Sequence, residues 1–336
     1  VTEARLGDIK KNVNLNDGRI AKAIKHLEID GFIAKDSYHY SRTPKRWVFN
    51  EERVEKLKEI RLEERQKIAD YISSNDCLMK FITNELDDPQ SQKCGICSNC
   101  SKQEFFPKTA KKELIFKALE FLNQDYQLIE PRKRWPTGIF NSTIIPPEQH
   151  IEQGRSMCLL EDAGWGIEIK KCFRNNTPVS NDFLDTVVHL IKEEWNPNPF
   201  PDNLTFIPSK NNDILHNFCV RLSKALDINY KETEFSDPGP HSAYISIEKE
   251  KPAMKKMKNS HQKVINGMDK WMVCPSFDSE GDCILNLNDE PNGNYTGTIL
   301  LIDDYVDSRW TFTILGAMLR KFGFTVYPFS LGMVKK

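Results

Sequence analysis

The sequence predicts a multidomain protein that combines α/β and α+β folds. Its 336 residues exceed the roughly 100 to 200 residues of one typical domain. The first fifty residues alternate helical and strand-like patterns, a cysteine cluster follows, and apolar strands alternate with helices from about residue 150 onward. We therefore expect four segments, 1–50, 51–105, 106–149 and 150–336.

The composition is that of an ordinary globular protein, with 39% hydrophobic and 28% charged residues. The formal net charge of −1 argues against a chain that is basic throughout, so contact with nucleic acid would have to use local positive charge. No apolar run approaches the roughly 18 residues that cross a bilayer, and no charged-then-apolar leader opens the chain. We expect a cytoplasmic protein with no membrane partner.

Residues 1–50 follow the order of a winged helix-turn-helix domain. Asn16 and Asp17 favour a helix start, and Gly31 favours its end. Phe32–Ala34 and Arg46–Phe49 are predicted as two strands of a hairpin. The apolar residues at helical spacing between these limits are Ile20, Ala23, Ile24 and Leu27. In a winged helix such a helix enters a DNA groove, while the hairpin, or wing, touches the backbone.

The other face of this helix and the hairpin loop are basic. Residues 1–50 hold ten Lys and Arg against six Asp and Glu, an excess that favours salt-sensitive contact with DNA phosphates. A small helical-hairpin domain with solvated charges is the alternative. The predicted DNA contacts are Arg19, Lys22, Lys25 and His26 on the helix, and Lys35, Arg42, Lys45 and Arg46 in the hairpin loop.

Four cysteines with the spacing C-x16-C-x2-C-x2-C predict a metal site in the segment 51–105. Four thiolates can surround Zn2+ tetrahedrally at about 2.3 Å, which gives a closed, structural site. The same spacing leaves an iron–sulfur cluster or unliganded thiols as alternatives. Much of this segment, from Glu51 to about Leu86, is predicted to be helical. The predicted ligands are Cys77, Cys94, Cys97 and Cys100; the five scattered cysteines are expected to be unpaired thiols.

The segment 106–149 is predicted to be a linker with one helix, from Glu113 to about Leu122, and a short basic stretch. Arg132, Lys133 and Arg134 can bind phosphates, and Trp135 can stack on a base, a composition suited to single-stranded DNA. The alternative is a connector whose tryptophan packs on a neighbouring domain.

Near the C-terminus, Gly297–Ile302 is a continuous apolar strand, as expected in a parallel sheet that is buried on both faces. An acidic loop over 303–311 follows, then a helix that ends at Gly323 and a strand over Thr325–Phe329. A loop between a strand and a helix N-terminus favours a phosphate, because backbone N–H groups and the helix dipole attract an anion there.

The runs Arg65–Tyr71, Asn75–Phe81 and Cys94–Cys100 resemble the zinc-binding subdomain of RecQ-family ATP-dependent DNA helicases. In that family the subdomain is structural and follows two motor domains. A winged helix usually follows the zinc, whereas here it precedes it, an order similar to a divergent bacterial group with a C-terminal phosphoribosyltransferase-like domain. The resemblance implies a DNA-binding accessory region that serves DNA unwinding, repair and recombination on duplex, junction or single-stranded DNA. No G-x-x-x-x-G-K-[ST] motif occurs, so the chain is not the ATP-driven motor by itself. It would be either the C-terminal part of a longer helicase, with the ATP-binding motor domains as a partner upstream in the parent protein, or a stand-alone relative that lost the motor.

The acidic loop resembles the phosphoribosyl-pyrophosphate (PRPP) signature of type I phosphoribosyltransferases, which implies a Rossmann-like parallel sheet for 150–336. By this resemblance Asp303 and Asp304 would meet the ribose hydroxyls with Mg2+ nearby, and Lys210 would contact the pyrophosphate. Arg309 stands where that family has glycine, and it could block the pocket or bind a nucleic-acid phosphate. The implied 5′-phosphate loop is Asp307, Ser308 and Thr311. The alternative functions are an enzyme or sensor for PRPP or a nucleotide, and a protein-interaction scaffold.

Overall fold

A computed structural model describes residues 3–102, 107, 109–124, 126–209, 211–230, 243–268, 270–274 and 295–334. Residue contacts divide the chain into two units. One unit joins Val1–Thr43 with Lys117–Lys336, and the other is Pro44–Phe116. Within the described residues, no helix has both the length and the apolarity needed to cross a bilayer.

The N-terminal part of the first unit is a small α+β arrangement. It consists of β1 (Ala4–Arg5), α1 (Leu6–Asn12), α2 (Asp17–Ile29), β2 (Ile33–Asp36) and β3 (His39–Arg42). The three strands form an antiparallel sheet in the order β1-β3-β2. The prediction for the limits of α2 is confirmed, since the Asn16 side chain accepts a hydrogen bond from the Arg19 N–H at 2.8 Å and Gly31 follows with φ +73°.

The predicted hairpin exists, but its second strand was wrongly assigned. Asp36 pairs directly with His39, so Ser37 and Tyr38 alone connect the strands, with Ser37 in a left-handed conformation. Arg46–Phe49, predicted as the second strand, is not a strand, and Trp47 within it is 56% exposed. The tight turn places β3 against β2 before the chain reaches that aromatic run.

The second unit is helical. It contains α3 (Glu51–Ser73), α4 (Leu78–Glu85) and α5 (Ser98–Ser101), and α6 (Lys112–Gln124) begins in it. The single helical run predicted to about Leu86 is wrong, because the chain is not helical from Ser74 to Cys77. The Ser74 hydroxyl accepts a hydrogen bond from the Asp76 N–H at 3.1 Å, a local bond that competes with helix continuation.

The rest of the first unit is a mixed α/β domain. Its strands and helices are β4 (Gln127–Ile129), β5 (Gly154–Ser156), α7 (Trp165–Asn175), α8 (Asn181–His189), β6 (Asn203–Phe206), α9 (Asn212–Leu226), β7 (Asn229–Tyr230), β8 (Tyr244–Ile247), α10 (Ser260–Gly267), β9 (Trp271–Cys274), β10 (Thr298–Val306), α11 (Trp310–Lys321) and β11 (Thr325–Met333). A π-helical turn over Leu190–Trp195 extends α8, and short 3-10 turns lie at Pro147–Gln149 and Met254–Lys256.

Six of these strands form one sheet in the order β4-β5-β11-β10-β6-β7. The pairs from β5 to β7 are parallel, whereas β4 is antiparallel to β5, so the sheet is mixed rather than purely parallel. The arrangement is compatible with the predicted Rossmann-like α/β domain. Strands β8 and β9 form a separate antiparallel pair.

The sheet is buried on both faces, as the continuous apolar run predicts. Ile299 and Leu301 of β10 belong to a core cluster that includes the apolar residues of α11. Leu300 and Ile302 belong to a second cluster on the other face, with residues of α7, α8 and α9. The strand also runs four residues beyond its predicted end at Ile302, because β11 continues to pair with it as far as Val306.

One of the scattered cysteines departs from the expectation of unpaired thiols. Cys274 is disulfide-bonded and buried. Cys158, Cys172 and Cys219 are free and buried, in agreement with that expectation.

Helix α10 connects the N-terminal helices to the α/β domain within the first unit. The Asn259 side-chain amide donates to the carbonyls of Val13 and Leu15, both at 2.9 Å, just after α1. Its oxygen accepts from the Gln262 N–H at 2.9 Å and so caps α10. Asn14 adds bonds to the Lys256 carbonyl (3.1 Å) and the Lys258 N–H (2.8 Å). The turn between α1 and α2 is therefore fixed to the segment that leads into α10.

Candidate functional site

The four predicted metal ligands lie together in the second unit. The sulfur atoms of Cys77, Cys94, Cys97 and Cys100 are all within 4.8 Å of one another. Cys77 Sγ lies 3.5 Å from Cys94 Sγ and 3.9 Å from Cys97 Sγ. Four sulfurs about 2.3 Å from a tetrahedral ion are separated by about 3.8 Å, so the cluster fits one metal ion.

Local structure positions the sulfurs of Cys77, Cys94 and Cys97, and it favours the thiolate form of Cys77. Cys77 caps α4, and Gly95, with φ +75°, turns the chain between Cys94 and Cys97. The backbone N–H groups of Cys94 and Lys80 donate to Cys77 Sγ at 3.3 and 3.4 Å and lower the pKa of its thiol to about 6. A metal ion binds the thiolate, so these bonds prepare the site for it.

Asn99 is a supporting residue that the sequence analysis missed. Its side-chain amide donates to the carbonyls of Ser74 (2.7 Å) and Asp76 (2.8 Å). It therefore ties the segment that carries Cys97 and Cys100 to the helix break that presents Cys77. Its position between the predicted ligands Cys97 and Cys100 is the sequence feature that could have identified it.

The DNA-contact residues predicted from the first fifty residues are exposed. Arg19, Lys22, Lys25 and His26 lie on α2, on the side away from the buried Ile20 and Ile24. Lys35 lies in β2 and Arg42 in β3, so neither is in the connecting loop where they were predicted. Lys45 and Arg46 follow the hairpin and belong to the second unit.

In the basic stretch, Trp135 is packed inside the protein, as the connector alternative predicts, and does not offer a surface on which a base could stack. Trp135 is 7% exposed and stacks on Trp310, with ring centroids 5.9 Å apart and an interplanar angle of 15°. The guanidinium of Arg132 lies 4.1 Å from the centroid of the Trp310 ring, and its Nε donates to the Ser308 carbonyl at 2.9 Å. Burial, assisted by the nearby Arg309, lowers the pKa of Arg132 to about 10. Lys133 and Arg134 remain exposed.

A cavity of about 270 Å³ lies at the carboxyl ends of β6 and β10 in the first unit. This is the edge where open α/β sheets bind their ligands. The charged residues that line it are Lys251, Lys255, Lys263, Lys270 and Arg309, together with Asp303, Asp304 and Asp307. Ser308 and Thr311 line it too. The three residues of the predicted 5′-phosphate loop therefore line the same cavity as the two predicted ribose-binding acids. Lys210 lies outside the described residues.

The two adjacent acids lie within β10 and are held by protein donors. Asp304 Oδ2 accepts hydrogen bonds from Ser209 Oγ at 3.0 Å and from Asn211 Nδ2 at 2.7 Å. Asp303 Oδ1 accepts from the Asp304 N–H at 2.9 Å. Burial, and then the charge of Asp304, raise the pKa of Asp303 well above its usual value, which favours its neutral form.

Arg309 occupies a backbone conformation that suits glycine. Its φ of +65° and ψ of 2° are left-handed, and it directly precedes the first residue of α11. Its Nη1 donates to the Glu130 carbonyl at 3.0 Å. Asp307, two residues earlier, pairs with Lys263 of α10 at 2.5 Å. The loop is thus fixed from two sides by long side chains.

The lysines of the cavity were not among the site residues predicted from the sequence. Residues 249–263 hold six lysines and one acid, Glu250, a local charge excess that was the available signal. Lys251, Lys255 and Lys263 of this run line the cavity.

In comparisons with known proteins, no family and no curated protein matches this chain.

We expect Arg309→Gly to be more stable than Arg309→Ala by about 1 kcal/mol. Both variants lose the hydrogen bond to the Glu130 carbonyl, but only alanine keeps a Cβ in the left-handed conformation. Urea unfolding of the two variants measures the difference, and equal midpoints would contradict the assigned backbone strain.

We expect Asp303→Asn to raise the stability of the first unit at neutral pH. A folded-state pKa above the ordinary 3.8 means that this group stabilises the fold at lower pH, and that its contribution is lost as pH rises towards the folded value. The wild-type free energy of unfolding should therefore fall relative to that of the variant as pH increases from about 4. Denaturant unfolding at a series of pH values tests this, and parallel curves would refute it.

Proposed function

We propose that this chain is a DNA-binding accessory region of a RecQ-like ATP-dependent DNA helicase. The observation that carries the proposal is the order of α2, β2 and β3, a helix with four exposed basic or imidazole side chains followed by an antiparallel hairpin. On this proposal the segment from β1 to β3 is a winged helix, in which α2 enters a DNA groove and the hairpin touches the phosphate backbone. Lys35 and Arg42 on the hairpin strands supply phosphate contacts.

In this proposal the metal of the second unit is a structural zinc ion. Zn2+ fits four thiolates in a closed tetrahedral set that leaves no position for water. Among the described residues of Pro44–Phe116, Cys77 is the one buried hydrophobic residue. The metal would then supply what an apolar core supplies elsewhere, with a binding free energy on the order of 10 kcal/mol that is also folding free energy.

We expect close to one zinc ion per chain by elemental analysis. Cys94→Ser, or a chelator applied to the wild type, should unfold Pro44–Phe116 and leave the α/β domain folded, because that domain has its own two apolar clusters. Limited proteolysis followed by mass spectrometry would locate the new cleavage sites. Lys93→Ala, which changes an exposed neighbour of Cys94, is the control and should stay resistant. A metal-free protein with a protease-resistant helical unit would contradict the role of zinc.

For DNA binding, we expect the double change Lys22→Gln and Lys25→Gln to weaken binding to duplex DNA. Loss of two phosphate contacts should lower the slope of log K against log salt by about two. Fluorescence anisotropy at several salt concentrations measures this.

The matched control is Lys170→Gln with Lys171→Gln, which removes two exposed charges from α7. The proposal fails if both double variants weaken binding equally, or if neither weakens it.

The cavity favours a second candidate function, the binding of PRPP or a nucleotide. Asp303 and Asp304 lie side by side at its wall, and carboxylate oxygens are the ligands that Mg2+ takes beside a bound phosphate. Lys263 and Arg309 supply positive charge near the same loop. No turnover is assigned to the chain.

Isothermal titration calorimetry with PRPP and MgCl2 tests this second candidate. We expect micromolar binding that Asp304→Asn abolishes, since Asp304 lines the cavity and holds Ser209, another lining residue, by a hydrogen bond. Absence of heat with the wild type would remove PRPP as the ligand.

A further inference from the structure

The positive charge of the cavity continues outside it, towards the N-terminal helices. Lys251 and Lys255 line the cavity, and Lys256 and Lys258 follow along the same segment with their side chains exposed. The backbone of these last two residues is bonded to Asn14, in the turn between α1 and α2. One short stretch of chain therefore carries lysines from the cavity to the turn that precedes α2, the helix proposed to bind DNA.

Inside the cavity the positive charges exceed the negative ones. Its lining includes five Lys and Arg residues and three aspartates. Lys263 is paired with Asp307. A water-filled cavity with such an excess attracts an anion, because the low dielectric of its walls strengthens the attraction.

Lys270 gives an independent indication of an anionic ligand. It is 8% exposed, and its ammonium lies 5.1 Å from the centroid of the Trp271 ring and 3.4 Å from the Pro252 carbonyl oxygen. Among the residues that the structure describes, no carboxylate forms an ion pair with it. Burial, and then the charge of Lys251, lower its pKa. A buried ammonium without a counterion is costly, and an anion in the cavity would offset that cost.

The start of α11 is suited to the same anion. The Arg309 side chain makes no capping hydrogen bond to the first turn, so the backbone N–H groups of that turn are not satisfied by the residue that precedes the helix. Ser308 and Thr311, which both carry hydroxyl groups, line the cavity wall beside it. Together these donors and the lysines suit a phosphate monoester, which carries close to two negative charges at neutral pH.

We propose that the cavity binds the phosphorylated end of a DNA strand, and that Lys255, Lys256 and Lys258 bind the phosphates that follow. The inference rests on the DNA-binding function proposed above and names the part of the DNA that this site takes. A free sugar phosphate would need positive charge only within the cavity. The lysines that continue outside it match a ligand that is longer than the cavity and that runs towards α1 and α2.

The test uses the full chain and a fluorescein-labelled single-stranded DNA 15-mer. Three forms of the strand are compared: one with a 5′-phosphate, one with a 3′-phosphate and one with no terminal phosphate. In each phosphorylated form the label lies at the end opposite the phosphate. We expect the wild type to bind one phosphorylated form about tenfold more tightly than the unphosphorylated form, as charge-assisted hydrogen bonds to a dianion require. Millimolar ribose 5-phosphate, the free small-molecule probe, should remove this preference without displacing the strand.

Two cavity variants and one surface variant separate the parts of the proposal. Lys270→Met should abolish the preference and leave binding of the unphosphorylated strand unchanged. Thr311→Val, which keeps the shape of the side chain, should reduce the preference severalfold and covers the case in which Lys270→Met unfolds. The triple change of Lys255, Lys256 and Lys258 to Gln should weaken all three forms alike and lower the salt slope by about two, as contacts with single strands do.

Failure of this inference is distinguishable from failure of the DNA-binding proposal. Equal wild-type affinity for the three strands would overturn the inference while DNA binding stands. A preference that survives both cavity variants would overturn it too, and binding of ribose 5-phosphate without any end preference would assign the cavity to free sugar phosphates. If no strand binds at all, both proposals fail.

Discussion

The pairing of β10 with β11 is the constraint on which the first unit depends. The two strands are in parallel register from Thr298–Thr325 to Val306–Met333, and apolar clusters cover both of their faces. Because β6 pairs with β10 in parallel, the carboxyl ends of both strands open at one edge of the sheet. That register brings Ser209, which follows β6, to Asp304 on β10. The position of the cavity is therefore a consequence of strand order. The polar and charged groups that line it come largely from loops that the sheet positions.

Helix α10 contacts both the N-terminal α+β part and the α/β domain of the first unit. Its N-cap, Asn259, binds the carbonyls that end α1, and Lys263, one turn later, reaches Asp307 at the cavity. The Lys263 ion pair is 2.5 Å long, with 11% of the lysine and 44% of the aspartate side chain exposed, so salt screens it less than a pair in which both side chains are fully exposed. The eight-residue helix α10, together with its N-cap Asn259, thus fixes the N-terminal helices relative to the loop before α11. The proposed helix-in-groove contact and the proposed strand-end site would therefore be held in a fixed relation by α10.

The features that could be predicted from the sequence were those set by neighbouring residues. Asn16 and Gly31 bound α2 as expected, because capping is a local interaction, and the cysteine spacing located the four cysteines that could hold a metal ion. The predictions were wrong where the structure depends on contacts between residues that are distant in the sequence. The aromatic run at Arg46–Phe49 has strand propensity, yet β3 occupies the place beside β2. The lysine-rich run that includes Lys256 and Lys258 is visible in the sequence, but its link to the N-terminal helices is not, because that link depends on bonds to Asn14, more than 240 positions away.

Among the described residues of Pro44–Phe116, almost no apolar side chain is buried, so the stability of this unit would have an unusual origin. An apolar core stabilises a fold by an amount that the chain itself determines. A unit held by four thiolates has instead an apparent stability that rises with the logarithm of the free ion concentration. Its folded fraction would therefore be set by the surrounding metal buffer, and its melting temperature would have no single value until that concentration is stated. The same chain would contain one part with an intrinsic stability and another whose stability is a property of its medium.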